Sequence, residues 1–404
     1  MAKAAFFSVP NYGHIYPTLP VVAGLVREGE RVVFYGHEDF REKIERTGAE
    51  FRTFGLGSSY DPTRRPPTLV HLGVKALEHT LRLLPELLRD VRRERYDYLM
   101  HDCACPWGRF AAQILGLPAV SSVCLIPMVP AIVAKYVNRS TFVRQAARGA
   151  LAYLRFRRLA AKLHREYGAA RMGVLDVLNN FADLNLVYTA RDFVPEAHLF
   201  DESFCFVGPS FPEREEVGDF PLECLEGRTV IYVALGTHRN DAPDFFRDCM
   251  TAFGGRTELV VMSTGGRVSP ESLQPHPPNF LVRSWVPQVE VLKRAQLYIT
   301  HGGMNSCNQA LYFGVPLLVS PRAPDLVMQA KRIQELGLGR ILWPEQVNPE
   351  RLRRMGLELM EDAQVHASLA AMQASLRAAG GRERAVREIL CFRDRRGKAA
   401  APRP

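Results

Sequence analysis

Short apolar runs recur along this chain, each followed by a turn and then by apolar residues at helical spacing. The first run, Ala4 to Val9, leads through Pro10-Asn11-Tyr12-Gly13 into a stretch with Leu19, Val22, Ala23 and Val26 on one helical face, ending near Gly29. Arg31 to Gly36 reads as a second strand, and His37-Glu38-Asp39-Phe40 begins another helix. Further strands are expected at Tyr96 to Asp102, Leu184 to Tyr188 and Phe204 to Pro209, with helical patterns over Leu72 to Arg95 and Asn138 to Gly168. The rhythm restarts with Thr229 to Leu235, Leu259 to Thr264, Phe280 to Val282, Gln296 to Thr300 and Gly314 to Val319. Strands alternating with helices predict α/β architecture with doubly wound parallel sheets, which bind ligands at the carboxyl ends of their strands.

At 404 residues, two domains are expected. The boundaries read from the pattern are a first domain over 1–211, a linker over 212–227 rich in Pro and Glu, a second domain over 228–379, a helix over 380–392 and a disordered basic tail over 393–404. The turn-rich stretch Phe54 to Pro67 reads as a mobile loop over the binding cleft. A net charge of +9 favours solubility and attraction for anionic substrates. No motif interleaves basic and aromatic residues as nucleic-acid binders do, so no nucleic-acid partner is expected. No apolar run is long enough to span a membrane, and no secretory signal opens the chain. The eight cysteines show neither a Cys-x-x-Cys pair nor other metal-ligand spacing. No metal site is expected, and buried free thiols in the cytoplasm are. The very basic segment 138–168, with Leu151, Leu154, Leu159 and Leu163 interleaved, fits either a peripheral contact with an anionic bilayer or a surface helix with one packed face.

The chemistry concentrates in Trp285 to Gln329. The strand ending at Thr300 turns through His301-Gly302-Gly303 into a helix that opens with Met304-Asn305-Ser306. Such a turn aims free backbone N–H groups and the positive end of a helix dipole at one point, which suits a phosphate or diphosphate. His301 is placed to donate to it. Upstream, Trp285 offers a flat face and Gln288 an amide for a base. Downstream, Asp325 suits sugar hydroxyls. In chain order these describe a nucleotide sugar. In the first half, His14 lies in the loop after strand one, and Asp102 ends another strand. Asp97 is a competing carboxylate, but it lies at the opposite edge.

Together these motifs resemble the donor signature of the inverting UDP-glycosyltransferases, the family that includes the bacterial macrolide and secondary-metabolite glycosyltransferases. Gly13-His14-Ile15-Tyr16-Pro17 is similar to the motif that carries that family's general-base histidine. The segment from Asp102 through Trp107-Gly108 to Gly116-Leu117-Pro118 is similar to the one that carries its partner aspartate. The resemblance implies a GT-B fold, two Rossmann-like domains facing across a cleft, with the last helix crossing back onto the first domain. It implies His14 and Asp102 as catalytic residues. Gly236, Thr237, Trp285, Val286, Gln288, His301, Gly302, Gly303, Asn305, Ser306, Gln309 and Asp325 become donor contacts, and Tyr12, Trp107 and Met128 candidate acceptor contacts. Two positions depart from the pattern. Gln309 stands where the family often has the ribose-binding Glu, and Leu326 where it usually has Gln, which opens the way to a deoxysugar. The implied activity is transfer of a sugar from a UDP- or dTDP-sugar to a hydroxyl of a lipophilic small molecule such as a macrolide or polyketide aglycone, without cofactor or metal. A membrane-surface glycolipid synthase and a non-catalytic partner of another glycosyltransferase are the alternatives.

Overall fold

The computed structural model describes residues 1–53, 68–137, 139–212, 215–237 and 240–400, with the backbone alone at 139, 142, 324, 325 and 397–400. The loop expected over 54–67 lies outside the described residues, as does Asn138. The chain forms two compact units, one from Met1–Phe211 together with the chain from Ala379 on, the other from Pro212–Ala378.

The first unit is built on a sheet of β1 (Lys3–Phe7), β2 (Arg31–Gly36), β3 (Glu50–Thr53), β4 (Tyr98–Asp102), β5 (Ala119–Val123), β6 (Leu184–Val187) and β7 (Phe204–Phe206). Its order is β3-β2-β1-β4-β5-β6-β7. Every neighbouring pair is parallel. Helices on both faces leave no strand face for solvent, which is why β1, β4 and β5 are continuously buried rather than alternating. The chain moves outward from β1 to β3, then returns to place β4 on β1's other side. The carboxyl ends of β1 and β4 therefore form the point where strand order reverses, the usual ligand position in such sheets.

The second unit repeats the plan with β8 (Val230–Ala234), β9 (Leu259–Ser263), β10 (Phe280–Arg283), β11 (Ala295–Thr300), β12 (Leu317–Val319) and β13 (Gly339–Ile341). Its order is β10-β9-β8-β11-β12-β13, again all parallel. Here the reversal falls between β8 and β11, whose Tyr232 and Tyr298 rings stack at 4.7 Å.

The helix Leu69–Glu94 turns Leu77, Leu84, Leu88 and Val91 into the first core. The basic segment is the helix Arg139–Tyr167, packed on Leu69–Glu94 through buried Phe156 and Leu163. A Cβ at Gly73 would stand 3.2 Å from the Phe156 ring, so glycine permits that close approach. No described helix is long and apolar enough to cross a membrane.

Two expectations are corrected. The described part of 212–227, read as a linker, clusters with the second unit. Its Glu215 accepts a hydrogen bond from the Val289 N–H at 2.8 Å, at the start of the helix Gln288–Leu292. The tail read as disordered from Arg393 is helical to Ala400, within Gly381–Ala400. Arg393 pairs with buried Glu30, and Arg396 with Asp183 at 2.9 Å, so cations read as a solvated run are anchored on the first unit. Residues 401–404 lie outside the described set.

Candidate active site

At the switch point of the first unit, Asn11 caps the single-turn helix Tyr12–Ile15, its Oδ1 accepting from the Gly13 N–H at 2.9 Å. That turn directs His14 back over the sheet. Its Nδ1 lies 2.9 Å from both carboxylate oxygens of Asp102, the last residue of β4. Asp102 is fully buried, and its Oδ1 also accepts from the Ala104 N–H at 2.7 Å. The competing Asp97 is spent elsewhere, accepting from the Lys3 N–H at 2.6 Å. Burial pulls the His14 pKa down, but the charge and hydrogen bond of Asp102 outweigh it and hold the imidazole well above its ordinary 6.5. Neighbouring His101 meets only the Asp102 carbonyl, at 3.2 Å, and burial outweighs that support and takes it to about 4. A Cβ at Gly108 would stand 2.6 Å from the His101 Cβ, so this glycine lets the helix Pro106–Leu115 pack onto β4.

Two thiols lie against the His14–Asp102 pair, and the sequence reading missed both. Cys124, just beyond β5, has its Sγ 3.1 Å from the same His14 Nδ1 and 3.7 Å from Asp102 Oδ2. Cys103 follows Asp102 directly, and a hydrogen bond with Cys124 lowers its thiol to about 7. His14, Asp102, Cys103 and Cys124 are all buried, with one ligand atom from each lying within 4.8 Å of the others. The four come from separate segments that meet at the carboxyl ends of β1, β4 and β5. The available signal was that Cys103 directly follows a predicted strand, whereas the strand before Cys124, Ala119–Val123, was not predicted.

At the switch point of the second unit, the His301 ring is wedged between two glycines. A Cβ added to Gly236 would stand 2.5 Å from its Cε1, and one added to Gly303 2.7 Å from its Nε2. Gly236 (φ 75°) and Gly302 (φ 90°) also hold backbone conformations that favour glycine. Gly303 starts the helix Met304–Tyr312, which has no side-chain cap and no acidic residue in its first turn. Its leading N–H groups therefore face outward uncapped, as an anion site requires. Asn305 and Ser306 lie in that first turn, and Thr237 follows Gly236. Asn240, also missed from sequence, ties this turn together. Its Nδ2 donates to the carbonyls of Gly236 at 2.7 Å and Thr264 at 2.9 Å.

Residues 256–386 match the family model described as Erythromycin biosynthesis protein CIII-like, C-terminal domain. The chain is 32% identical to the NDP-glycosyltransferase YjiC of Bacillus licheniformis over 96% of its own length and 97% of that protein's. It is 30% identical to the oleandomycin glycosyltransferase of Streptomyces antibioticus, over 95% and 89% respectively. The chain belongs to the UDP-glycosyltransferase family. The crystal structure of the glycosyltransferase of kitacinnamycin superposes with a TM-score of 0.83 at 30% identity, covering 97% of this chain and 99% of that one. The two Rossmann-like units are thus those of the GT-B fold, and this protein is a glycosyltransferase.

The remaining candidate residues of this glycosyltransferase are placed as follows. Trp285 is 54% exposed, with its indole beside the Gly265–Gly266 turn. Val286 is partly buried next to it. The Gln288 amide is held internally: its Nε2 donates to Gln309 Oε1 at 2.5 Å and to Ser306 Oγ at 3.3 Å, and its Oε1 accepts from Tyr232 at 3.2 Å. Gln309 is buried and engaged in that same bond. Asp325 is the second residue of the helix Pro324–Glu335, and its side chain lies outside the described set. Tyr12 packs edge-on against Phe40 at 4.8 Å. Met128 is fixed by Asn179, which accepts from its N–H at 2.9 Å and donates to its carbonyl at 3.0 Å. The acceptor reading of Trp107 is corrected. The indole is 2% exposed within the first core, so its bulk supports the sheet instead of facing a ligand.

Proposed function

We propose that this enzyme transfers a sugar, with inversion, from a UDP- or dTDP-sugar to a hydroxyl of a lipophilic small molecule such as a macrolide or polyketide aglycone. The observation that carries the reading is the His14–Asp102 pair, with Nδ1 at 2.9 Å from both carboxylate oxygens at a strand switch point. Asp102 accepts from Nδ1–H, which leaves the Nε2 lone pair available. Nε2 takes the proton of the acceptor hydroxyl as that oxygen attacks the anomeric carbon. One bond forms from the acceptor oxygen to the sugar, the bond to the phosphate oxygen breaks, and its electron pair leaves with the nucleoside diphosphate. A single displacement inverts the anomeric centre. The leaving diphosphate is met by the uncapped start of Met304–Tyr312 and by His301, with Thr237, Asn305 and Ser306 at its edge, so the reaction as proposed needs no divalent cation. Trp285 stacks on the base, with Val286 and Gln288 beside it, and Asp325 holds sugar hydroxyls.

The class of acceptor is supported by the kinship with the oleandomycin glycosyltransferase. The glycolipid and non-catalytic alternatives find no such support, nor does membrane contact through the basic helix. A cytoplasmic location suits a chain whose eight cysteines are all free.

The test is His14→Ala. Loss of a general base lowers transfer by ~10²–10⁴-fold, while calorimetric affinity for the nucleoside diphosphate stays at the wild-type value. Near-full turnover by the variant with a hydroxyl acceptor overturns the base assignment.

A further inference from the structure

The transfer reaction uses His14 and Asp102 but gives no task to Cys103 and Cys124, two buried thiols clustered with them, Cys124 lying 3.1 Å from the imidazole Nδ1. We propose that Cys103, Cys124, Asp102 and Nδ1 of His14 form a binding site for a thiophilic divalent cation, zinc first among them, and that an occupied site switches transfer off. The switching half rests on the base role given to His14 above.

The donor set is the first argument. Two sulfurs, one imidazole nitrogen and one carboxylate oxygen are a four-ligand set of the kind that closes a tetrahedral zinc site. Softer sulfur ligands disfavour magnesium and calcium, which prefer oxygen. The spacing is the second. Zinc bonds of about 2.0–2.3 Å set neighbouring ligand atoms of a tetrahedron roughly 3.3–3.8 Å apart. Here Sγ of Cys124 stands 3.1 Å from Nδ1 and 3.7 Å from Asp102 Oδ2, Nδ1 stands 2.9 Å from Oδ2, and all four donors lie within 4.8 Å. A modest outward shift of the ring opens the centre.

The surrounding bonds are the third. Asp102 Oδ1 is held by the Ala104 N–H, leaving Oδ2 turned toward the thiols. Asn180 fixes the Cys103 backbone, its Nδ2 donating to that carbonyl at 2.7 Å. Such supporting contacts orient metal ligands. The His14 side chain keeps 11% of its surface exposed, which gives an ion a way in.

The consequence follows from the imidazole. A cation on Nδ1 displaces the proton from that nitrogen, so the neutral ring carries it on Nε2 instead, and two thiol protons pass to solvent. Nε2 then has no lone pair for the acceptor hydroxyl. The donor site in the other unit is untouched.

The experiment uses the full-length enzyme, stripped of metal and kept reduced with a phosphine. Equilibrium dialysis against Zn²⁺ counts bound metal, and Co²⁺ serves as the coloured probe through its thiolate charge-transfer absorption. Transfer is assayed with and without Zn²⁺ in the wild type, in Cys103→Ser and in Cys124→Ser, and read as a ratio within each protein. The expected result is one tight Zn²⁺ per chain, a thiolate–cobalt band, and transfer falling about tenfold at roughly ten times the dissociation constant. Each serine variant loses the band and the inhibition. Absence of stoichiometric binding, or binding and inhibition that persist in both variants, overturns the site. Binding with the band but undiminished transfer overturns the switch. Should the band appear while His14→Ala retains full transfer, the site stands and the base assignment falls.

Discussion

In the first unit the proposed base is a side chain held by other side chains: an imidazole 2.9 Å from a buried carboxylate, with two thiols behind it. In the second unit the proposed donor surface is backbone, with His301 pressed between Gly236 and Gly303 and an uncapped helix start beside it. Both lie where strand order reverses in a parallel sheet. The same topology thus presents either a titratable dyad or an anion cradle, depending on whether the turn residues carry functional groups or lack Cβ atoms. The first arrangement is suited to moving a proton. The second is suited to holding negative charge through backbone N–H groups.

The comparison breaks most readily at Asp102. Asp102→Asn leaves the shape but removes the charge that orients His14 and stabilises the imidazolium formed during transfer, so kcat falls by ~10²–10⁴-fold while nucleoside diphosphate affinity, read by calorimetry, is unchanged. Equal losses in both would show that the two sites are not independent.

The dyad also makes the first site pH-dependent. The base must be neutral, and Asp102 raises the His14 pKa well above 6.5 despite burial. Below that raised pKa the neutral fraction, and with it kcat/KM, falls about tenfold per pH unit. A rate profile should therefore climb above neutral pH, and Asp102→Asn should move its rising limb to lower pH. Stability runs the other way. A raised folded pKa stabilises the protein fully below 6.5, and that contribution is lost as pH rises through the folded value. Thermal melts over the same range should show the midpoint drifting down as activity rises.

Gly303→Ala probes the second site. Its Cβ would stand 2.7 Å from His301 Nε2, so the ring must leave its seat. The expected outcome is a donor KM raised roughly tenfold, from one charge-assisted hydrogen bond of about 1.5 kcal/mol, with the pH profile unmoved. A shifted profile would contradict the division of labour. The smallest effect is expected at Leu326→Gln, which adds one polar group near the start of Pro324–Glu335. Competition between a glucose and a deoxysugar donor should change by about threefold to tenfold toward glucose, the worth of one neutral hydrogen bond.

Much of this enzyme was legible in its residues one stretch at a time. The apolar runs located β2 at Arg31–Gly36 to the residue, because a doubly covered parallel strand must be apolar throughout. The turn Gly302-Gly303 and the His14 loop were readable because glycine and histidine are chosen there for local reasons, a missing Cβ and a strand's carboxyl end. The basic tail misled, since a run of arginines reads as solvated unless the partner acids, Glu30 and Asp183, are known to be near. Trp107 misled for the same reason, because burial is not written in a residue's name.

Sequence alone therefore determined the two-unit α/β plan and the glycine turns, since each depends on spacing within a short segment, while His14 and Asp102, 88 positions apart, were paired only by family resemblance. Only the tertiary structure decided that Cys103 and Cys124 flank the base, that Gln288 spends its amide on Gln309, and that Asn240 ties the cradle together. Those contacts join residues from separate segments. Parallel strands bring such residues together through long crossovers, and nothing in the spacing along the chain records which side chains will meet.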